Sequence, residues 1–246
     1  MRRDLISLTP APAQERVRYG KSPSQFFDVW RAKNSVRGAA VMIHGGFWRV
    51  KYDLYHASHL CAALAESGVS IANLEYRRVG EAGGGWPGSL HDVKAGVAQA
   101  REYLGLSPVI LGHSAGGQLA LRLAVENPDV KAVIALAPVA VLQLAAELNL
   151  SNGAVSEFLG HNPDESQDFL NAACPSLQAS TVPRILIHGT ADDVVPISLS
   201  RRFVELRRND VAKVSLVEIP GADHFDLIDP ESTAWPTVRD CVLRSL

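Results

Sequence analysis

Along the chain, short runs rich in β-branched and apolar residues alternate with longer segments whose apolar positions recur at helical spacing. The short runs predict strands over residues 25–30, 39–43, 69–76, 108–112, 130–137, 184–188 and 214–219. The longer segments predict helices over 55–66, 88–103, 115–126, 197–208 and 233–246. This alternation predicts an α/β fold, a mostly parallel central sheet flanked by helices on both faces.

Three of the predicted strands contain continuously apolar runs, Ala39-Ala40-Val41-Met42-Ile43, Val109-Ile110-Leu111 and Ile185-Leu186-Ile187. Such runs suit strands buried on both faces. Each leads into a loop carrying glycine. Ligands of open α/β sheets bind beyond the carboxyl ends of the strands, so those loops are where chemistry is expected. Residues 149–181 break the rhythm, with Ser, Asn, Gly and Pro interrupting short helical pieces. They read as a small lid inserted into a single domain spanning 1–246, although an ordinary irregular excursion has the same signature.

A length of 246 residues suffices for one substantial core, and the formal net charge of -2 comes from interspersed acids and bases. No basic stripe offers itself to phosphates, so nucleic acid is not an expected partner. The start has two arginines but no apolar core of a signal peptide, and the densest apolar run, 132–142, is too short to span a bilayer. A cytoplasmic protein without membrane partners is expected. Cys61, Cys174 and Cys241 are odd in number and widely spaced, which suits buried reduced thiols. A homodimer is left open.

The strongest chemical signal is Gly112-His113-Ser114-Ala115-Gly116-Gly117, directly after one buried strand and directly before a helical run. It fits G-x-S-x-G, the strand-turn-helix nucleophile elbow of α/β-hydrolases. Small neighbours let strand and helix approach closely while the turn lifts the serine hydroxyl into the open. Upstream, His44-Gly45-Gly46-Phe47-Trp48 follows another buried strand. Acyl transfer needs preplaced N–H donors for a developing oxyanion, and the amides of Gly46, Phe47 and Ala115 are the candidates.

In this chain order the acid follows the serine and precedes the histidine. His188-Gly189-Thr190-Ala191-Asp192-Asp193 offers two adjacent carboxylates, Asp192 and Asp193. Pro220-Gly221-Ala222-Asp223-His224 then places His224 on a loop after the last strand, as the base. The remaining histidines have plainer readings. His113 is the variable elbow position, His44 and His188 end strands and bond loop backbone, and His56, His59, His91 and His161 lie in helix or loop. No HExxH or similar spacing appears, so neither a metal nor another cofactor is expected. Gly83-Gly84-Gly85-Trp86-Pro87-Gly88 satisfies GxGxxG only formally and reads as a flexible loop ending at a helix start.

Together these motifs resemble the α/β-hydrolase superfamily from about residue 39 to 225. HGGFW is similar to the HGGxW of kynurenine formamidases, a resemblance that implies Gly46 and Phe47 as oxyanion donors. The stretch from His188 to Pro196 resembles HGTxDxxVP, which implies Asp192 as the acid. Glu75-Tyr76-Arg77 resembles the (D/E)YR of hormone-sensitive-lipase-type esterases, which usually carry a third glycine where Phe47 stands. The family implies a serine hydrolase acting on a small-molecule ester or amide, as a carboxylesterase or arylformamidase. Prolyl-oligopeptidase-like peptidases and non-catalytic ligand-binding proteins share the fold. Trp48, Tyr52 and Trp86 are the candidates for lining the substrate pocket, with core packing the alternative for each.

Overall fold

The computed structural model describes residues 3–33, 35–126, 129–160 and 167–246. His161 and part of the expected lid lie outside the described residues. The strands are β1 (Glu15–Arg18), β2 (Phe26–Trp30), β3 (Gly38–Ile43), β4 (Val69–Leu74), β5 (Val109–His113), β6 (Val133–Leu136), β7 (Arg184–Gly189) and β8 (Val214–Ile219). They form one sheet in the order β1-β2-β4-β3-β5-β6-β7-β8. β2 runs antiparallel to β1 and β4, and every other pairing is parallel.

Alternate side chains of the central strands feed two separate cores. Ala39, Val41 and Ile43 of β3 join Ile110 of β5 on one face, while Ala40 and Met42 join Val109 and Leu111 on the other. This division is the period-two geometry of a strand, and burial on both faces explains the continuous apolar runs from Ala39 to Ile43 and from Val109 to Leu111. Helices α2 (Gly88–Leu104), α3 (Ala115–Glu126) and α7 (Ser198–Arg207) contribute to the first core. Helices α1 (Ser58–Glu66) and α8 (Trp235–Ser245) contribute to the second. The irregular segment contains short helices α4 (Leu142–Glu147), α5 (Ala154–Leu159) and α6 (Gln167–Ala173), which pack on the first core through Leu142, Phe158 and Leu170. No helix among the described residues is long and apolar enough to cross a membrane.

β3 lies between β4 and β5, so the chain leaves β3 towards one edge and returns on its other side at β5. This reversal is a topological switch point, the crevice where open α/β sheets bind ligands. The loops following β3, β5, β7 and β8 all leave the same edge of the sheet, because these strands are parallel.

Candidate active site

Ser114 occupies the sharp turn between β5 and α3 at φ 55°, a left-handed conformation that costs a non-glycine residue about 1–3 kcal/mol. The surroundings enforce it: Ser114 N–H donates to Leu136 O at 2.8 Å, and Ser114 O accepts from the amides of Gly117 and Val139. The motif glycines are steric requirements. A Cβ on Gly112 would lie 2.4 Å from Gly116 O, and one on Gly116 only 2.2 Å from Ile43 O. Strand, helix and the end of β3 therefore meet backbone to backbone beneath the serine.

The loop after β3 turns through three consecutive left-handed residues, Gly46 (φ 111°), Phe47 (φ 50°) and Trp48 (φ 57°). The amides of Gly46, Phe47 and Ala115 donate to no acceptor among the described residues, the condition a preorganised oxyanion site requires. Glu75, at the end of β4, fastens both ends of this loop. Its carboxylate accepts from His44 Nε2 at 2.9 Å and from the amide of Leu54 at 3.1 Å. Burial alone would push the Glu75 carboxyl up, but His44 and Arg78 hold it below the ordinary range. Tyr76 Oη donates to His44 O at 3.0 Å, and Arg77 grips Asp92 of α2 with two bonds. The Glu75-Tyr76-Arg77 stretch thus braces the oxyanion loop against its neighbours.

His224 donates from Nδ1 to Asp192 Oδ2 at 2.7 Å, the bond that leaves Nε2 free as a proton acceptor. Asp193 is exposed, and the His224 bond goes to its neighbour. The other Asp192 oxygen accepts from the amides of Val194 and Val195 at 2.9 and 2.8 Å. Burial opposes ionisation of Asp192, yet hydrogen bonds from His188 and His224 outweigh it, and the carboxyl lies well below its usual range. His188 donates from Nε2 to Val195 O and approaches Asp192 at 3.3 Å, while its Nδ1 accepts from Ser200 Oγ. The acid is therefore held on both sides.

Ser114 and His224 line one cavity of about 230 Å³ together with Gly46, Phe47 and Tyr52. No hydrogen bond joins Ser114 Oγ to His224 among the described residues, and such contacts commonly tighten only when substrate arrives. Trp48 and Trp86 are absent from this lining, contrary to the sequence expectation. Trp48 is fully buried, its Nε1 donates to Gln118 Oε1 at 3.0 Å, and its ring stacks on Phe158 at 4.3 Å. Trp86 packs edge-on to Phe158, beneath the Arg122 guanidinium. Both indoles serve the first core and its cover. The glycines of the 83–88 loop are also packing residues, since a Cβ on Gly84 or Gly88 would strike backbone oxygens.

The cavity also includes residues with no signal in the sequence: Ile6, Ser151, Val194 and Phe225. Ser151 comes from the irregular segment and is pinned by Arg49, which donates from Nη1 to Ser151 Oγ and from Nη2 to Ser151 O, both at 2.8 Å. The same guanidinium makes two bonds to Glu157 of α5. His113 and His56 are lining residues as well. Burial first, and neighbouring imidazoles second, push His113 well below its ordinary value and His56 down to about 3.

With this geometry in place, a protein-family model named BD-FAE matches residues 28–206. The chain belongs to the BD-FAE family. Esterase LipC of Mycobacterium tuberculosis is 27% identical to this BD-FAE chain over 260 residues, covering 94% of the chain and 64% of LipC. The chain spans about three-fifths of the length of the first curated relatives it matches. A solved truncated carbohydrate esterase from gut microbiota is similar with a TM-score of 0.80 at 21% identity, covering 96% of this chain and 97% of that one. Esterase Est2 of Thermogutta terrifontis, with propionate bound, has a TM-score of 0.71 at 24% identity, covering 94% and 92%. These likenesses establish that this BD-FAE protein has the α/β-hydrolase fold.

Proposed function

We propose that this protein is a serine hydrolase that cleaves small carboxylic esters or aryl formamides through an acyl-Ser114 intermediate. The observation that carries the reading is the convergence on one cavity of a serine held in a strained turn, an imidazole oriented by a buried carboxylate, and unengaged backbone amides. His224 Nε2 takes the hydroxyl proton as Ser114 Oγ attacks the carbonyl carbon, and Asp192 stabilises the imidazolium that results. The amides of Gly46, Phe47 and Ala115 receive the oxyanion. Collapse expels the alcohol or amine, which leaves with the proton held by His224. Water then attacks the acyl group by the same route, returning the acid product and free Ser114.

The similarity to esterases LipC and Est2 supports ester substrates first. The aromatic lining from Phe47, Tyr52 and Phe225 supports an aryl group next to the reacting carbonyl. A rate comparison of N-formylkynurenine with short and long p-nitrophenyl esters tests the assignment. Turnover of the formamide far above the esters identifies an arylformamidase; ester preference identifies a carboxylesterase. Turnover of neither class would refute the proposal.

A further inference from the structure

Three cavities meet at one exposed side chain near the start of the chain. Ile6 lines the 230 Å³ cavity that contains Ser114. It also lines a cavity of about 240 Å³ with Arg3, Asp4, Leu5 and Phe225. A third cavity of about 250 Å³ includes Ile6 with Leu8, Pro10, Lys51 and Tyr52. Phe225 belongs to both the first and second of these, and Tyr52 and His56 to both the first and third. Ile6 therefore stands at the border of the reaction chamber and of the grooves beside it, the position a partition would take.

The partition is fixed in place. Leu5, next in the chain, is 2% exposed and anchors the segment in the second core. Asp4 Oδ1 accepts from the amide of Ile6 at 3.2 Å, and Arg3 Nη1 bonds Asp229 at 2.7 Å and Glu231 at 2.9 Å. A β-branched side chain on an anchored backbone has few rotamers with which to move aside. Yet Ile6 itself is 52% exposed, so changing its size disturbs no core packing.

We propose that Ile6 determines substrate length: it closes the Ser114 cavity against longer acyl chains, and a smaller residue would open it into the flanking grooves. The inference rests on the serine-hydrolase reading above. A hydrophobic wall discriminates through the fit of individual methylenes, each worth about 10–200-fold where the fit is tight.

The test compares kcat/KM for p-nitrophenyl octanoate and p-nitrophenyl acetate in the unaltered protein, Ile6→Ala and Ile6→Trp. The octanoate-to-acetate ratio is expected to rise about ten-fold or more in Ile6→Ala and to fall in Ile6→Trp. A second readout is the rate at which ethyl and octyl p-nitrophenyl phosphonates inactivate each protein, which reports access to Ser114 without turnover. Ester cleavage with an unchanged chain-length ratio in both variants overturns the role of Ile6 alone. Failure of the unaltered protein to cleave either ester or to react with either phosphonate overturns the hydrolase reading and this inference with it.

Discussion

The imidazole of His113 donates from Nε2 to the backbone carbonyl of His224 at 3.0 Å, and the two rings lie 4.6 Å apart. This single bond, between residues 111 apart in the chain, ties the elbow that carries the candidate nucleophile to the loop that carries the candidate base. His113 is 1% exposed, and its Nδ1 meets no partner among the described residues. Its proton is thus committed to positioning the loop of His224.

Replacing His113 with Phe removes the donor while keeping a ring of similar shape. Small displacements of reacting groups can cost about 10²-fold, so kcat should fall about ten- to a hundred-fold with little change in KM. His113→Gln, which retains an N–H donor, should recover part of the loss. Steady-state kinetics of the two variants check this; equal losses in both would show that the hydrogen bond has no part in the effect.

Asp192→Asn removes the charge that orients His224 and stabilises its imidazolium. A fall in kcat of about 10³–10⁴-fold is expected. Asp193→Asn should stay near full activity, since that residue is exposed and the His224 bond goes to Asp192. Parallel kinetics on the two asparagine variants separate the adjacent carboxylates.

Acid should weaken the fold through its buried imidazoles. His56 and His113 are held neutral far below the value near 6.5 at which they titrate in an unfolded chain. The unfolded state therefore binds more protons below that value. Their contribution to stability is complete above about pH 6.5 and declines as pH falls toward the depressed folded values, by about 2 kcal/mol for His56 at pH 5. The melting temperature should drop between pH 7 and pH 5, and the drop should be shallower in His56→Gln. Identical slopes would contradict this account.

Arg49 joins the oxyanion loop to the irregular segment through Ser151 and Glu157. Arg49→Ala should loosen that wall of the cavity, raising the rate of proteolytic cleavage within residues 149–160 and lowering kcat/KM about ten-fold. Arg49→Lys should restore little, because an ammonium cannot reproduce the forked pairing with Glu157. Limited proteolysis with mass-spectrometric mapping reads the first effect directly.

The strands and the candidate triad were legible because their signals are local. Ala39 to Ile43 and Val109 to Leu111 must be apolar on both faces, and Gly112 of the elbow is dictated by the nearby backbone of Gly116. β1 carries no such signal, because Glu15-Arg16-Val17-Arg18 is a short, mostly exposed edge strand with no apolar alternation. For Trp48 and Trp86, where the sequence left pocket lining and core packing both open, the choice is made by tertiary structure. Aromatic composition beside a motif does not reveal which way a left-handed turn directs a side chain, and Trp48 points to Gln118 and Phe158. Ile6, Ser151 and Phe225 reach the cavity only through tertiary packing. The tie from His113 to His224 is equally invisible, since its acceptor is a backbone carbonyl that any residue would supply.

The most direct measurement is reaction with a fluorophosphonate, followed by peptide mapping, on the unaltered protein and on Ser114→Ala. Covalent labelling at Ser114 alone, abolished in Ser114→Ala together with p-nitrophenyl acetate turnover while the fold persists, is the predicted result. Labelling elsewhere, or undiminished turnover in Ser114→Ala, would contradict the assignment of the nucleophile.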